Sequence, residues 1–187
     1  MRDQPFGRVR LIEMVVESVR VHMLSSQHVV ILKESERDRY LPIWIGPSEA
    51  NAIAMRLQGL TAERPLTHDL LVSVLGALNS SLSRVVVTHV TEGTFHARLY
   101  LELADGSEAE IDSRTSDAIA IALRADAKIY AEDDVIEESG VEFEGDEPDL
   151  DYAQRVSLGE VDMDEFRQFL DTVSPDEFAT GSDEPPG

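Results

Sequence analysis

The chain has 187 residues, 42% of them hydrophobic, no cysteine and a formal net charge of -21. That length suits one domain with a real core plus an extension. The lack of cysteine excludes disulfides, thiolate zinc sites and a cysteine nucleophile, and the acidity argues against nonspecific, charge-driven binding to nucleic acid or anionic lipid.

The charge is unevenly placed. Residues 1–140 hold 14 Lys+Arg against 22 Asp+Glu, and residues 141–187 hold 2 against 15. The opening MRDQPFGRVR lacks the apolar core of a signal peptide, and no apolar run is long enough to span a bilayer. A cytoplasmic protein with no membrane partner is the expectation.

Residues 1–12 read as a short arm. Met14 to Leu24 predicts a first strand, with Val15, Glu17, Val19, Val21 and Met23 on one face and Ser18, Arg20 and His22 on the other. A second strand follows over His28–Lys33 and a third over Tyr40–Ile45, where Pro42 points to an edge or a bulge. A helix then runs from Ala50 to Leu57, with Ser48 as N-cap, Glu49 in the first turn and Gly59 at the stop. A second helix begins at Thr67, its cap. His68 and Asp69 sit in its first turn, and Leu70, Leu71, Val74, Leu75 and Leu78 form its expected buried stripe.

Arg84–Val90 is a β-branched strand, and Glu92-Gly93 makes the next turn. Alternation at Leu99, Leu101 and Leu103, the Asp105-Gly106 turn, and Ala109 with Ile111 predict a hairpin ending near Asp112. Ser113, Arg114, Thr115, Ser116 and Asp117 lead into the apolar helix Ala118–Leu123, with Thr115 or Ser116 as cap and Asp117 suited to the positive end of the dipole. Lys128–Ala131 is a last short strand, and Val135-Ile136 the apolar part of a final turn. Residues 142–151 form an acidic linker. Val161–Val173 restarts a helical pattern, with Phe166, Phe169, Leu170 and Val173 on one side.

The order β-β-β-α-α-β-β-β-α-β gives an α+β class: a mixed, largely antiparallel sheet with three main helices, one domain over 13–141, and an acidic extension over 142–187. No P-loop, dinucleotide fingerprint, nucleophile elbow or zincin motif is present. The carboxylates Glu49, Asp69, Asp112 and Asp117 each stand at a helix start or strand end, where hard oxygen ligands could hold Mg2+ or Mn2+. A helix N-terminus with Arg114 beside it could hold a phosphate. Caps and first-turn acids are the blander account of the same residues. His89 and His96 flank a turn and could face each other across it.

Four segments carry a resemblance: LPIWIGPSEANAIAMRLQG at 41–59, RPLTHDLL at 64–71, FHARLYLELADGSEAEIDSRTSDAIAIALR at 95–124 and KIYAEDDVIEESGV at 128–141. Together they resemble the bifunctional nuclease family, over roughly residues 13–141. The resemblance implies a self-associating α+β domain that hydrolyses DNA and RNA. Carried over by motif position, the candidates are Glu49, His68, Asp69, Asp112 and Asp117 for catalysis. Ser113, Arg114 and Ser116 are the candidates for substrate. Asp112, Asp117 and Glu49 are the candidate metal ligands, and His68 the candidate general base or acid. Thr115 and Ala127 stand where the family usually has proline. A non-enzymatic domain that binds a protein or a small anion is the alternative.

Overall fold

The computed structural model of the chain describes residues 10–21 and 27–142. Most of the expected arm, the end of the first strand from His22 to Leu24, and the pattern at 161–173 lie outside these residues. The elements are β1 Leu11–Val21, β2 His28–Glu34, β3 Arg39–Ile45, α1 Pro47–Leu57, α2 Thr67–Ala77, β4 Ser81–Thr91, β5 Thr94–Glu102, β6 Glu108–Arg114, α3 Thr115–Ala125, β7 Lys128–Glu132, α4 Asp133–Ser139 and β8 Val141–Glu142. This is an α+β architecture, with three 11-residue helices and the short α4 on one mixed sheet.

The sheet runs β6-β5-β4-β7-β1-β2-β3-β8. β1–β3 and β4–β6 are two antiparallel meanders, made by short connections. β7 joins them, parallel to β4 and antiparallel to β1. Pro42 needs a free N–H side, and it has one: β8 pairs β3 only at Arg39 and Tyr40. The β4–β5 turn places both Glu92 and Gly93 at positive φ, which matches the twist of a hairpin.

One face of the sheet carries the core. Val30, Leu32, Leu41, Ile43, Val85, Val87, Ala97 and Leu99 point into it, and Ile119, Ala120 and Ala122 of α3 cover them. α3 is the buried helix that its composition requires, with seven buried residues. Val135 and Ile136 of α4 close the same core. On the other face, Val29 and Ile31 pack with Tyr40 and Trp44.

Two expectations fail here. In β1 the inward side chains are Ile12, Met14 and Val16, and then Val19, because the pairing with β2 shifts between Val16 and Ser18. The extra residue moves the inward set from even to odd numbers, so Val15, ahead of the shift, ends up exposed, and Val21, the last residue of the strand, is exposed as well. In α2 no residue is buried. Leu70, Leu71, Val74 and Leu78 are 56%, 37%, 44% and 62% exposed, and only Val72 and Leu75 lean on the core.

Candidate functional site

The three long helices start in the same way. Each takes its cap from an extended residue with no side-chain cap, namely Gly46, Leu66 and Arg114, and each places an acid at the third helical position: Glu49, Asp69 and Asp117. Ser48, Thr67 and Thr115–Ser116 are therefore inside the first turns, one or two positions beyond the capping role expected of them. Acids at that position meet the positive end of the helix dipole. Only Asp69 closes back on its own cap, accepting the Leu66 N–H at 2.9 Å.

Glu49 and Asp117 turn to one arginine. Arg114 donates from Nη2 to Glu49 Oε1 at 2.7 Å and from Nε to Asp117 Oδ2 at 2.8 Å. His68 Nε2 lies 3.1 Å from the other oxygen, Asp117 Oδ1. The four side chains form one chain of contacts, Glu49–Arg114–Asp117–His68, that ties the N-termini of α1, α2 and α3 together. Gly46 makes room for it: a Cβ there would run into the Glu49 carboxylate.

Burial pushes the Asp117 carboxyl up, and the hydrogen bonds and charges of Arg114 and His68 outweigh it, so that Asp117 titrates below the ordinary carboxylate range. An ionised Asp117 can only accept, which makes His68 Nε2 the donor and leaves Nδ1 as the nitrogen able to take a proton. His68 is mostly buried and Arg114 mostly exposed, with 12% and 68% of their side chains accessible. The corner is thus a fixed imidazole beneath a mobile-length guanidinium at the surface.

Asp69 faces away from that corner. Its Oδ1 pairs with Arg124 Nε, while Arg124 Nη1 and Nη2 donate to the carbonyls of Ala120 and Ala52. Burial raises the Asp69 pKa, and the Leu66 N–H and Arg124 bring it down to a net value below the usual one. A groove of about 480 Å³ opens beside this pair, between α1 and α2, with Met55, Leu60, Leu66 and Val72 in its wall. Arg124, the fixed centre of this second cluster, was not among the expected site residues. Its signal was a lone cation ending a helix that is otherwise apolar.

The remaining candidates are scattered. Asp112 sits on β6 opposite Arg98, exposed, and Ser113 donates to the Arg114 carbonyl. Ser116 is buried in the first turn of α3. Among the described residues no three His, Asp or Glu side chains stand together as metal ligands, so Asp112, Asp117 and Glu49 are not gathered into a trio. Thr115 Oγ1 is buried with no partner. His89 and His96 do face each other, stacked at 4.3 Å between ring centroids. Among the described residues no helix is long and apolar enough to cross a membrane.

These motif positions fall inside the stretch over which the chain is similar to other proteins. It is 43% identical over 166 residues to the uncharacterized proteins MT1877 and Rv1829 of two Mycobacterium tuberculosis strains, which covers 89% of this chain and 97% of each relative. The sequence model of the bifunctional nuclease domain matches residues 30–144, from β2 through β8 and across all four N-terminal acids and bases of the corner. The chain belongs to the bifunctional nuclease domain family.

Proposed function

We propose that the protein is a cytoplasmic, self-associating phosphodiesterase that hydrolyses DNA and RNA, with Glu49, Arg114, Asp117 and His68 as its working corner. One observation carries the reading: an imidazole held by an ionised carboxylate at 3.1 Å, beside an arginine open to solvent. Asp117 fixes the tautomer and orientation of His68, and Nδ1 takes a proton from the attacking water or returns one to the leaving oxygen. Arg114 stabilises charge on the phosphate oxygens as it develops. It does so by loosening from one of its two carboxylates, since both of its bonded edges are occupied in the resting state.

The donor chemistry also fits a hard cation. Mg2+ is commonly held by one or two carboxylates together with phosphate oxygens, and Glu49 and Asp117 are the residues that would hold it or Mn2+ once Arg114 moved to substrate. Such an ion would neutralise a phosphodiester oxygen and lower the pKa of a bound water. Asp112 stays outside this set.

The test uses protein purified by two independent routes, single-stranded DNA and RNA, and arms with Mg2+, Mn2+ and chelator. His68→Ala and Asp117→Asn are each expected to lower cleavage roughly 10²- to 10⁴-fold while circular dichroism stays unchanged. Folded variants that cleave at the wild-type rate would remove the corner from the mechanism. The second reading is a non-enzymatic domain that binds a protein or small anion. It is favoured by the exposed leucines of α2, and the absence of cleavage in every arm would select it.

A further inference from the structure

The largest anomaly of the surface is α2. An 11-residue helix with no buried residue leaves Leu70, Leu71, Val74 and Leu78 in one exposed stripe, with no charged side chain inside it. Contiguous exposed apolar residues of this kind mark a face that something covers. We propose that residues 161–173 of the same chain dock on this face of α2.

Three observations name that occupant. The first is pattern. Beyond the domain, the segment VDMDEFRQFLDTV places Phe166, Phe169, Leu170 and Val173 on one side at helical spacing, with Asp164 and Asp171 off that side. From Phe166 to Val173 such a helix is about 10 Å long, and the α2 stripe from Leu70 to Leu78 is about 12 Å. The second is reach. The residues between Glu142 and Val161 span about 60 Å when extended, and a domain of this size has a radius of gyration of roughly 14 Å. The third is the similarity to the mycobacterial relatives, which takes in 166 of 187 residues. It must therefore continue well past residue 144, where the family match stops. The match thus reaches at least residue 166 and takes in the start of the segment.

The proposal does not depend on the nuclease reading.

Amide hydrogen exchange on the full chain tests this. In the double variant Phe166→Asp with Phe169→Asp, the α2 amides are expected to exchange roughly tenfold faster than in the wild type, while the β4–β5 amides stay unchanged and report the intact fold. Equal α2 exchange in the two proteins overturns the proposal. So does α2 protection that rises with protein concentration and ignores the substitutions, because that result assigns the face to a second copy.

Discussion

Arg114 is charged, exposed and doubly committed, and its two carboxylates reach it from different helices. The geometry depends on a residue without a side chain. At Gly46 the added methyl of Gly46→Ala meets only the far end of Glu49, which can swing away. The fold is expected to lose about 1 kcal/mol or less from the poorer cap. Glu49, however, must leave Arg114. We expect a near-normal melting temperature with an altered rate in the cleavage assay that tests the proposed function, measured on the same preparation. A large loss of stability would mean that the Glu49–Arg114 pair holds the helices together rather than shaping the corner.

At the scale of elements, the start of α3 carries a correctable fault. Thr115 is the first helical residue, its hydroxyl is buried without a partner, and Arg114 before it is extended at φ -63, ψ 142. Proline is favoured at that position, and the residue ahead of it already has the backbone that proline demands. Thr115→Pro also removes an unpaired buried hydroxyl. It is expected to stabilise the protein by roughly 0.5–1 kcal/mol, read as a higher urea midpoint. A lower midpoint would show that the Thr115 N–H or hydroxyl makes a contact that matters.

The elements also show what the sequence made legible and what it did not. α3 was readable because its apolar residues leave no polar face, which only burial can satisfy. The β4–β5 and β5–β6 hairpins were readable from Glu92-Gly93 and Asp105-Gly106, where the positive φ of Glu92, Gly93 and Gly106 is local chemistry. The inward face of β1 was not, because one bulge reverses every side chain beyond it and nothing in MVVESVRV marks where it falls. Nor was the exposure of α2, since a stripe of leucines looks the same whether it faces the core or another surface. The meeting of His68 with Asp117 spans 49 residues of sequence and depends on how two helices pack, which periodicity does not encode.

For the whole molecule, acid stability follows from the two arginine clusters. Asp69 and Asp117 both titrate below their ordinary range in the folded state, so their stabilisation is fully present above the unfolded carboxylate pKa of about 3.9 and is lost as pH falls through the lower folded values. Glu132 runs the other way. Burial, and then Asp134, raise its pKa, so its charge costs stability at neutral pH and that cost fades on acidification. Urea midpoints are therefore expected to hold or rise slightly from pH 7 to 5 and to fall below pH 4. The pH 7-to-3 difference should shrink in Asp117→Asn. An identical pH dependence in that variant would show that the Arg114 cluster contributes nothing to acid resistance.

β7 is among the last strands to leave the ribosome, yet it lies in the middle of the sheet between β1 and β4. Until Lys128–Glu132 emerges, the nascent chain holds two unjoined three-stranded pieces, and the β1 and β4 margins that β7 will seal are bare, hydrogen-bonding templates. During synthesis these two edges thus wait for five residues to arrive.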